Sequence, residues 1–251
     1  MKKSVTAVAI LLGLSSMSAF AAQDNAFQHE AGINYLSNSE EFNDGIWNAN
    51  YRYYVTPVAQ STSPYALNGF LAQTSNLGVN YSNVDVIDID TYGVDGTYVF
   101  ASKWFVSAQY QNYDYANFDF STYGAEVGYY FNDSSAVSAF YTDGEDNYEE
   151  QYGLKVRSYL ALQSTAGVDL QATWTHSDND DVINLGADWY INNAWSVGAG
   201  YSRNDDDDAF DVRTAYWLRL SDNFSANFHV ARVLDSDFDG VNIGLGVVGR
   251  F

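Results

Sequence analysis

The three histidines are the side chains of this sequence best suited to acid–base catalysis near neutral pH. His29, His176 and His229 are widely separated, and no Gly-x-Ser-x-Gly segment accompanies any of them. A serine–histidine pair also needs an orienting group in contact with the histidine. His176, followed by Ser177 and Asp178, comes nearest to this pattern, but a histidine without a role at a loop edge is the favoured interpretation. We therefore predict that the protein is not an enzyme.

Acidic residues offer a second kind of chemistry, the binding of a divalent cation. The run 205–208 consists of four aspartates, but it lacks the glycine and the terminal glutamate of a calcium-binding loop. The chain contains no cysteine, no phosphate-binding loop and no histidine cluster. The sequence thus predicts no metal and no cofactor, and it favours a solvated loop at 205–208.

A set of charged residues falls within segments of alternating polarity, on the polar side of the alternation. Such residues could line a water-filled pore and tune its ion selectivity, or they could form salt bridges that only stabilise the wall. The predicted pore-lining residues are Arg52, Asp95, Glu126, Lys155, Arg157, Asp169, Asp188, Asp211, Arg213 and Arg219.

The alternation that positions these side chains has a period of two residues, which is typical of β-strands. In the segment 183–191 the odd positions are apolar, and the even positions are Asn184, Gly186, Asp188 and Tyr190. Short polar turns begin at 100, 131, 162, 191 and 220, which are 29 to 31 residues apart. Each interval accommodates two strands and two connections, so the repeat indicates antiparallel hairpins rather than a helical solenoid.

The number and length of the strands favour a transmembrane antiparallel up-and-down β-barrel. Strands of about ten residues match the length that a tilted strand needs to cross the hydrocarbon core. Large aromatic residues such as Trp104 and Trp195 lie next to the turns, where an interfacial girdle would lie. We predict fourteen strands, with twelve as the alternative if a hairpin within 56–90 does not form. The predicted strands are 27–36, 46–55, 67–82, 91–100, 104–113, 118–131, 136–143, 148–160, 167–176, 182–191, 195–203, 209–220, 224–233 and 240–251.

The N-terminus carries the features of a secretory signal peptide. Lys2 and Lys3 precede a short apolar stretch that ends in small residues, and we expect removal of residues 1–21 and a barrel over 22–251. The remaining chain has nine Lys plus Arg against 32 Asp plus Glu, a formal charge of −23. Nucleic acid is therefore not expected as a partner, because binding it requires a basic surface.

The connections predict the orientation of the chain in the membrane. Tight turns alternate with longer acidic connections, and in outer-membrane barrels the short turns are periplasmic. This places both termini in the periplasm and the acidic loops outside, beside lipopolysaccharide. The longer loops are only about six to nine residues, so no large plug and no deep constriction loop is expected. Both prolines, Pro57 and Pro64, are assigned to one connection.

Several segments give the chain a resemblance to a known family. They are the signal peptide, the segment 63–71 (SPYALNGFL), the strand 92–100 that leads into 104–106, and the terminal Gly246 and Phe251. The chain resembles the general porins of Gram-negative bacteria, which are small outer-membrane β-barrels. It departs from the usual C-terminal insertion signal at Gly249, where an aromatic or aliphatic residue is common.

The resemblance implies a passive channel for small hydrophilic solutes and ions in the outer membrane. It also implies contact with lipid and lipopolysaccharide, recognition of Phe251 by the barrel-assembly machinery, and a possible homotrimer. The alternative is a barrel that does not conduct and acts as a structural anchor, an adhesin or a phage receptor. Tyr130, Tyr159, Tyr190 and Trp217, on the polar side, could narrow the lumen in either case.

Overall fold

The chain forms fourteen antiparallel strands, in a computed structural model that describes residues 26–60, 63–84, 87–115, 118–145, 148–178, 180–221, 223–234 and 240–251. The predicted signal peptide, 1–21, lies outside these residues. The strands are β1 (Phe27–Asn38), β2 (Ile46–Val58), β3 (Asn76–Val84), β4 (Ile89–Val99), β5 (Trp104–Tyr115), β6 (Phe118–Asn132), β7 (Ser135–Gly144), β8 (Gln151–Ala161), β9 (Gly167–Ser177), β10 (Asp180–Asn192), β11 (Trp195–Arg203), β12 (Asp208–Arg219), β13 (Phe224–Leu234) and β14 (Asn242–Arg250).

Each strand pairs with its neighbours in sequence, and β1 pairs with β14, so the sheet is closed. The closing register runs from Glu30 opposite Arg250 to Asn38 opposite Asn242. A closed sheet leaves no unpaired strand edge, which a membrane-spanning sheet requires because hydrocarbon cannot satisfy backbone groups. The fold and the count of fourteen are thus confirmed, and the alternative of twelve strands is wrong.

The two faces of the sheet differ in polarity, as the alternation predicts. The outward face carries large apolar side chains that are 36% to 59% exposed. They include Tyr98, Phe100, Trp104, Trp189, Trp195 and Phe224, which lie next to turns. The other face carries polar side chains, charged side chains and glycines. The structure therefore has the predicted orientation of the strands, with the apolar side chains outward and the polar side chains inward.

The connections alternate between the two ends of the barrel. We call the end that carries both termini and the turns after β4, β6, β8, β10 and β12 the turn end, and the opposite end the loop end. The connections at the loop end are at most seven residues long, at 39–45 and 235–241. The 17-residue connection 59–75 after β2 is longer than any of these, although it lies at the turn end.

The segment 67–82 corrects the predicted secondary structure. Its first part is a 3₁₀ turn (Tyr65–Leu67) followed by one short helix, α1 (Asn68–Leu71), and β3 begins only at Asn76. Pro57 is the penultimate residue of β2 and does not share a connection with Pro64. Within the described residues, no helix is long and apolar enough to cross a membrane.

The described part of the connection after β2 folds into the barrel, and we call residues 63–75 the inner segment. Leu67 is fully buried against Tyr159 of β8, Tyr190 of β10 and Trp217 of β12. These strands lie on one side of the wall, and their contacting side chains are on the polar, inward face. The expectation of no large plug and no deep constriction loop concerned the connections at the loop end, which are short. The inner segment is instead part of a turn-end connection, and its apolar residues cover inward aromatic rings that would otherwise face water.

Candidate functional site

The inner wall of the barrel contains a cross-strand ion pair between Arg52 of β2 and Asp95 of β4. Arg52 Nη1 lies 2.7 Å from Asp95 Oδ2, and Arg52 Nη2 lies 2.9 Å from Asp95 Oδ1. Gly78 of β3 pairs with both residues, so the arginine side chain crosses over a position without a Cβ. A Cβ at Gly78 would lie 2.7 Å from Asp95 Oδ1, which is closer than a Cβ contact allows. Glycine at this position is what permits the bidentate pair.

The same arrangement recurs on β10, β11 and β12. Arg213 Nε lies 2.8 Å from Asp188 Oδ1, and Arg213 Nη1 lies 3.0 Å from Asp211 Oδ2. Gly198 stands between Asp188 and Arg213 in the register. One arginine therefore holds two carboxylates, and this cluster has a formal charge of −1.

Two further ion pairs connect neighbouring inward positions. Lys155 Nζ lies 3.0 Å from Glu126 Oε2, and Arg157 Nη2 lies 2.9 Å from Asp169 Oδ2. The carboxylate of Asp169 is 1% exposed, so its charge is compensated by a hydrogen-bonded partner, as a buried charge requires. Arg219 lies on the same face of β12, outside these four groups. The structure thus brings nine of the ten predicted residues into four ion-pair groups.

A fifth pair, which sequence reasoning did not single out, closes the barrel. Arg250 Nε donates to Glu30 Oε2 at 2.8 Å, and both side chains are at most 5% exposed. The two residues face each other across the seam between β1 and β14. The alternation in the sequence predicts that Arg250 faces inward. It does not predict the partner of Arg250, because that depends on the register between the first and last strands.

The inner wall is balanced in formal charge. Apart from Asp180, the first residue of β10 at the loop end, its six acidic residues and six basic residues are Glu30, Asp95, Glu126, Asp169, Asp188, Asp211, Arg52, Lys155, Arg157, Arg213, Arg219 and Arg250. The excess of acid in this chain lies in the connections and on the outward face near the loop end. At the turn end, the exposed Lys103 Nζ lies 2.8 Å from Asp133 Oδ1 and holds the pKa of that carboxyl below its usual value.

The inner segment is fixed at the turn end by hydrogen bonds as well as by Leu67. The Tyr65 N–H donates to the carbonyl oxygen of Asn193 at 3.0 Å. Gln73 Nε2 donates to the carbonyl oxygen of Asn132 at 2.7 Å, and Arg250 Nη2 donates to the carbonyl oxygen of Tyr65 at 3.3 Å. The segment is therefore attached to three separate places on the wall, which are the last residue of β6, the turn after β10 and the strand β14.

An aromatic and cationic contact extends this attachment to β6 and β8. The Phe70 ring lies 6.3 Å from the Tyr130 ring, and the Arg157 guanidinium lies 4.6 Å from the Phe70 ring centre. Arg157 thus contacts the inner segment while it pairs with Asp169. The four aromatic residues that could narrow the lumen, Tyr130, Tyr159, Tyr190 and Trp217, all lie at most 8% exposed around this segment.

The histidines do not form a catalytic arrangement. His176 faces outward and Ser177 faces inward, because neighbouring strand residues alternate between faces. His176 Nδ1 lies 3.0 Å from Asp181 Oδ1, and its ring packs against Tyr152. His29 on β1 faces outward and His229 on β13 faces inward, and both lie far from His176 in the order of strands. No pair of these histidines can act on one substrate group.

The aspartate run forms a turn that Asn204 closes, and its last member, Asp208, is the first residue of β12. The N–H groups of Asp206 and Asp207 donate to Asn204 Oδ1 at 3.2 and 2.6 Å, and the Asn204 N–H donates to the Asp207 carbonyl oxygen at 2.9 Å. Among the residues described, no group of three or more His, Asp or Glu side chains is arranged to hold a metal ion.

Comparison with solved structures shows the fold. The crystal structure of the Acinetobacter baumannii outer membrane protein Omp33 is similar, with a TM-score of 0.70 and 20% identity over 91% of this chain and 100% of that one. The crystal structure of OccK7 (OpdD) of Pseudomonas aeruginosa has a TM-score of 0.49 and 10% sequence identity, and the match covers 90% of this chain and 99% of that one. The KdgM porin in complex with disordered oligogalacturonate has a TM-score of 0.44 and 8% sequence identity, and the match covers 88% of this chain and 99% of that one. No curated protein sequence matches this chain.

The closed sheet with an apolar outward face and a charged inner wall defines an outer-membrane β-barrel. A family model described as "Putative general bacterial porin" matches residues 1–147, more than half of the chain. The chain belongs to this porin family, as its resemblance predicts. Porins of this fold are generally not enzymes.

Proposed function

We propose that this porin is a passive diffusion channel for small hydrophilic solutes and ions. The observation that carries the proposal is the inner wall, where fourteen closed strands present ion pairs, amides and glycines inward. Charged side chains facing lipid near the midplane would cost about 2–4 kcal/mol each, so this wall is suited to enclosed water. The ten predicted residues, from Arg52 to Arg219, are proposed to line the water path.

In this proposal the loop end faces the cell exterior, and both termini lie in the periplasm. The short turns support this orientation, since such turns are periplasmic in bacterial barrels. The acidic connections then surround the outer mouth, while the charges of the wall balance. Cations are therefore concentrated at the entrance, and the channel is proposed to prefer cations over anions.

The inner segment is proposed to set the upper size of the solute. It lies at the turn end, where Leu67 and Phe70 fill space between inward aromatic residues. The test is the swelling of liposomes that contain the refolded protein, in isotonic solutions of neutral sugars of increasing size. We expect swelling with the smallest solutes only, and swelling with larger sugars when 63–75 is replaced by a short Gly-Ser connection. Equal, undetectable swelling with both proteins, both folded, would refute the channel.

The inner segment also favours a second candidate, a barrel that does not conduct. A fully buried Leu67 and three hydrogen-bonded attachments hold the segment at one end of the lumen. Such a barrel would serve as a structural anchor, an adhesin or a phage receptor. Swelling by the variant without the segment, but by no solute with the natural chain, would support this second function.

The remaining partners follow from the membrane location. Lipid and lipopolysaccharide would surround the apolar face, and the exposed ring of Phe251, at 52% exposure, is available to the barrel-assembly machinery. A homotrimer is compatible with an apolar outer wall. We do not propose a catalytic activity, a cofactor or a nucleic-acid partner, since the part of the chain that the structure describes offers no catalytic cluster or basic surface to support one.

A further inference from the structure

The inward face of the β5–β6 hairpin carries aromatic side chains at the loop end of the barrel. Tyr113 of β5 pairs with Phe120 of β6, and their rings are stacked at a centroid distance of 4.7 Å and an interplanar angle of 7°. The Phe118 ring centre lies 5.9 Å from that of Phe120. Tyr148 covers the inward Gly144, where a Cβ would lie 2.9 Å from Tyr148 Cβ. We call Tyr113, Phe118, Phe120 and Tyr148 the mouth cluster.

The mouth cluster faces the lumen, not the membrane. Phe118 and Phe120 are an even number of residues from the inward Glu126 on β6, so all three side chains share one face. Phe118 is nevertheless 50% exposed. Lipid does not cover a ring on this face, and an apolar patch that remains open to water is typical of a binding site. The cluster is therefore suited to a ligand that reaches the mouth of the barrel from water.

The wall beside the mouth cluster offers neutral hydrogen-bonding groups. Gln111 precedes Tyr113 by two residues on β5, so their Cα atoms are about 7 Å apart on one face. Its Nε2 donates to Asn80 Oδ1 at 3.3 Å, and each amide has more donor and acceptor sites than this one bond uses. On β3 to β6, as the structure describes them, no inward position between the level of Asp95 and Glu126 and the loop end is charged.

Aromatic rings next to neutral amides match the two kinds of surface on a sugar ring. In β-linked glucose the hydroxyl groups are equatorial and the C–H bonds are axial, so each face of the ring is apolar and its edge is polar. The face can stack on an aromatic ring, while the edge exchanges hydrogen bonds with amides. An organic cation could stack on the same rings, but the carboxylates nearest along these strands, Asp114 and Asp119, alternate to the outward face. A neutral sugar therefore fits this surface better.

We propose that the mouth cluster is an entry site for neutral oligosaccharides. A pyranose ring stacks on Phe118 and Phe120, and a hydroxyl group of the same or the next sugar unit hydrogen-bonds to the Gln111 amide. The inference deepens the proposed function by naming a solute class. It rests on that function for the passage of the sugar through the barrel, whereas binding at the mouth is measured without conduction.

The test is saturation-transfer difference NMR on the refolded, full-length mature barrel in lauryldimethylamine oxide, a detergent without sugar groups, titrated with the neutral trisaccharide cellotriose. We expect the strongest transfer to the axial C–H protons of the sugar and a Kd on the order of 1 mM. Phe118→Ala should weaken binding about fivefold, since a stacking surface is lost, and Gln111→Leu about fivefold through a lost hydrogen bond. The matched controls are Phe42→Ala, an exposed ring at the loop end that packs on the outward Tyr35, and Asn112→Leu, an outward amide of β5. Both controls should bind within about twofold of the natural chain.

Two results would overturn the inference. One is full affinity in both Phe118→Ala and Gln111→Leu, each scored after its shift on unheated electrophoresis shows a folded barrel. The other is binding of choline but not of cellotriose, which would identify a site for cations. In planar bilayers, cellotriose should also reduce the ion current of the natural chain more than that of Phe118→Ala. Binding without any conductance would support the sugar site and contradict the channel, whereas conductance without binding would contradict the sugar site alone.

Discussion

At the scale of single residues, glycines determine where charges meet on the inner wall. Gly78 and Gly198 each stand on the strand between an arginine and its aspartate, so the long side chain spans two strand spacings without obstruction. The inward phase of these charges could be predicted from the alternation alone. Their partners could not, because pairing depends on the register between strands and on which intervening position lacks a Cβ.

We predict that Gly78→Val destabilises the barrel although valine favours strands. Its Cβ would displace the Arg52 guanidinium from Asp95, leaving two partly buried charges unpaired and lowering the free energy of unfolding by about 1–3 kcal/mol. Denaturant unfolding in lipid vesicles measures the change. The matched control is Gly96→Val on the outward face of β4, where the nearest atom to a Cβ is Leu77 Cδ1 at 3.4 Å. Equal losses in both variants would contradict the role of the glycine.

A second prediction concerns the buried pair across the seam. Glu30→Gln leaves the Arg250 guanidinium buried beside a neutral amide, so we expect a loss of about 3–5 kcal/mol in the free energy of unfolding. The double variant Glu30→Gln, Arg250→Gln should recover part of this loss, because no unpaired charge remains. The control is Lys103→Gln, which breaks the exposed pair with Asp133 and should change stability little. If Glu30→Gln lowers the free energy of unfolding no more than Lys103→Gln does, the pair of Glu30 and Arg250 is solvated.

At the scale of elements, period-two alternation predicted the strands and failed at one place. Leu67, Phe70 and Leu71 are apolar in a segment assigned to β3, but their spacing also fits one helical turn, and Pro64 precedes them. Their burial depends on inward rings from Tyr130 to Trp217, which come together only when the barrel closes. A local pattern contains no information on that surface, so the inner segment could not be predicted.

We predict that Leu67→Ala loosens the inner segment without opening the sheet. Removing a fully buried leucine side chain costs about 2–5 kcal/mol. We expect this loss to weaken the packing of the inner segment against the wall. Amide hydrogen exchange over 63–75 should accelerate at least about tenfold, while exchange in β8 and β10 stays unchanged. Leu77→Ala, at a lipid-facing position 55% exposed, is the control. Unchanged exchange in 63–75 would mean that Leu67 does not hold the segment.

At the scale of the whole molecule, charge is distributed unevenly along the barrel axis. Apart from Asp180 at the loop-end start of β10, the strands carry six acidic and six basic inward residues, whereas acidic residues dominate the connections at the loop end. Composition predicted the acidic excess, and alternation predicted which of the strand charges face inward. The balance of the wall emerges only when every strand is placed, because it depends on the sum over all fourteen.

The most direct measurement is the recording of single refolded barrels in a planar bilayer across a tenfold gradient of KCl. The account predicts discrete conductance steps and a reversal potential whose sign indicates preference for cations. It also predicts larger steps when 63–75 is replaced by a short connection. The absence of any step from either protein, with both barrels folded, would contradict a water path through the barrel.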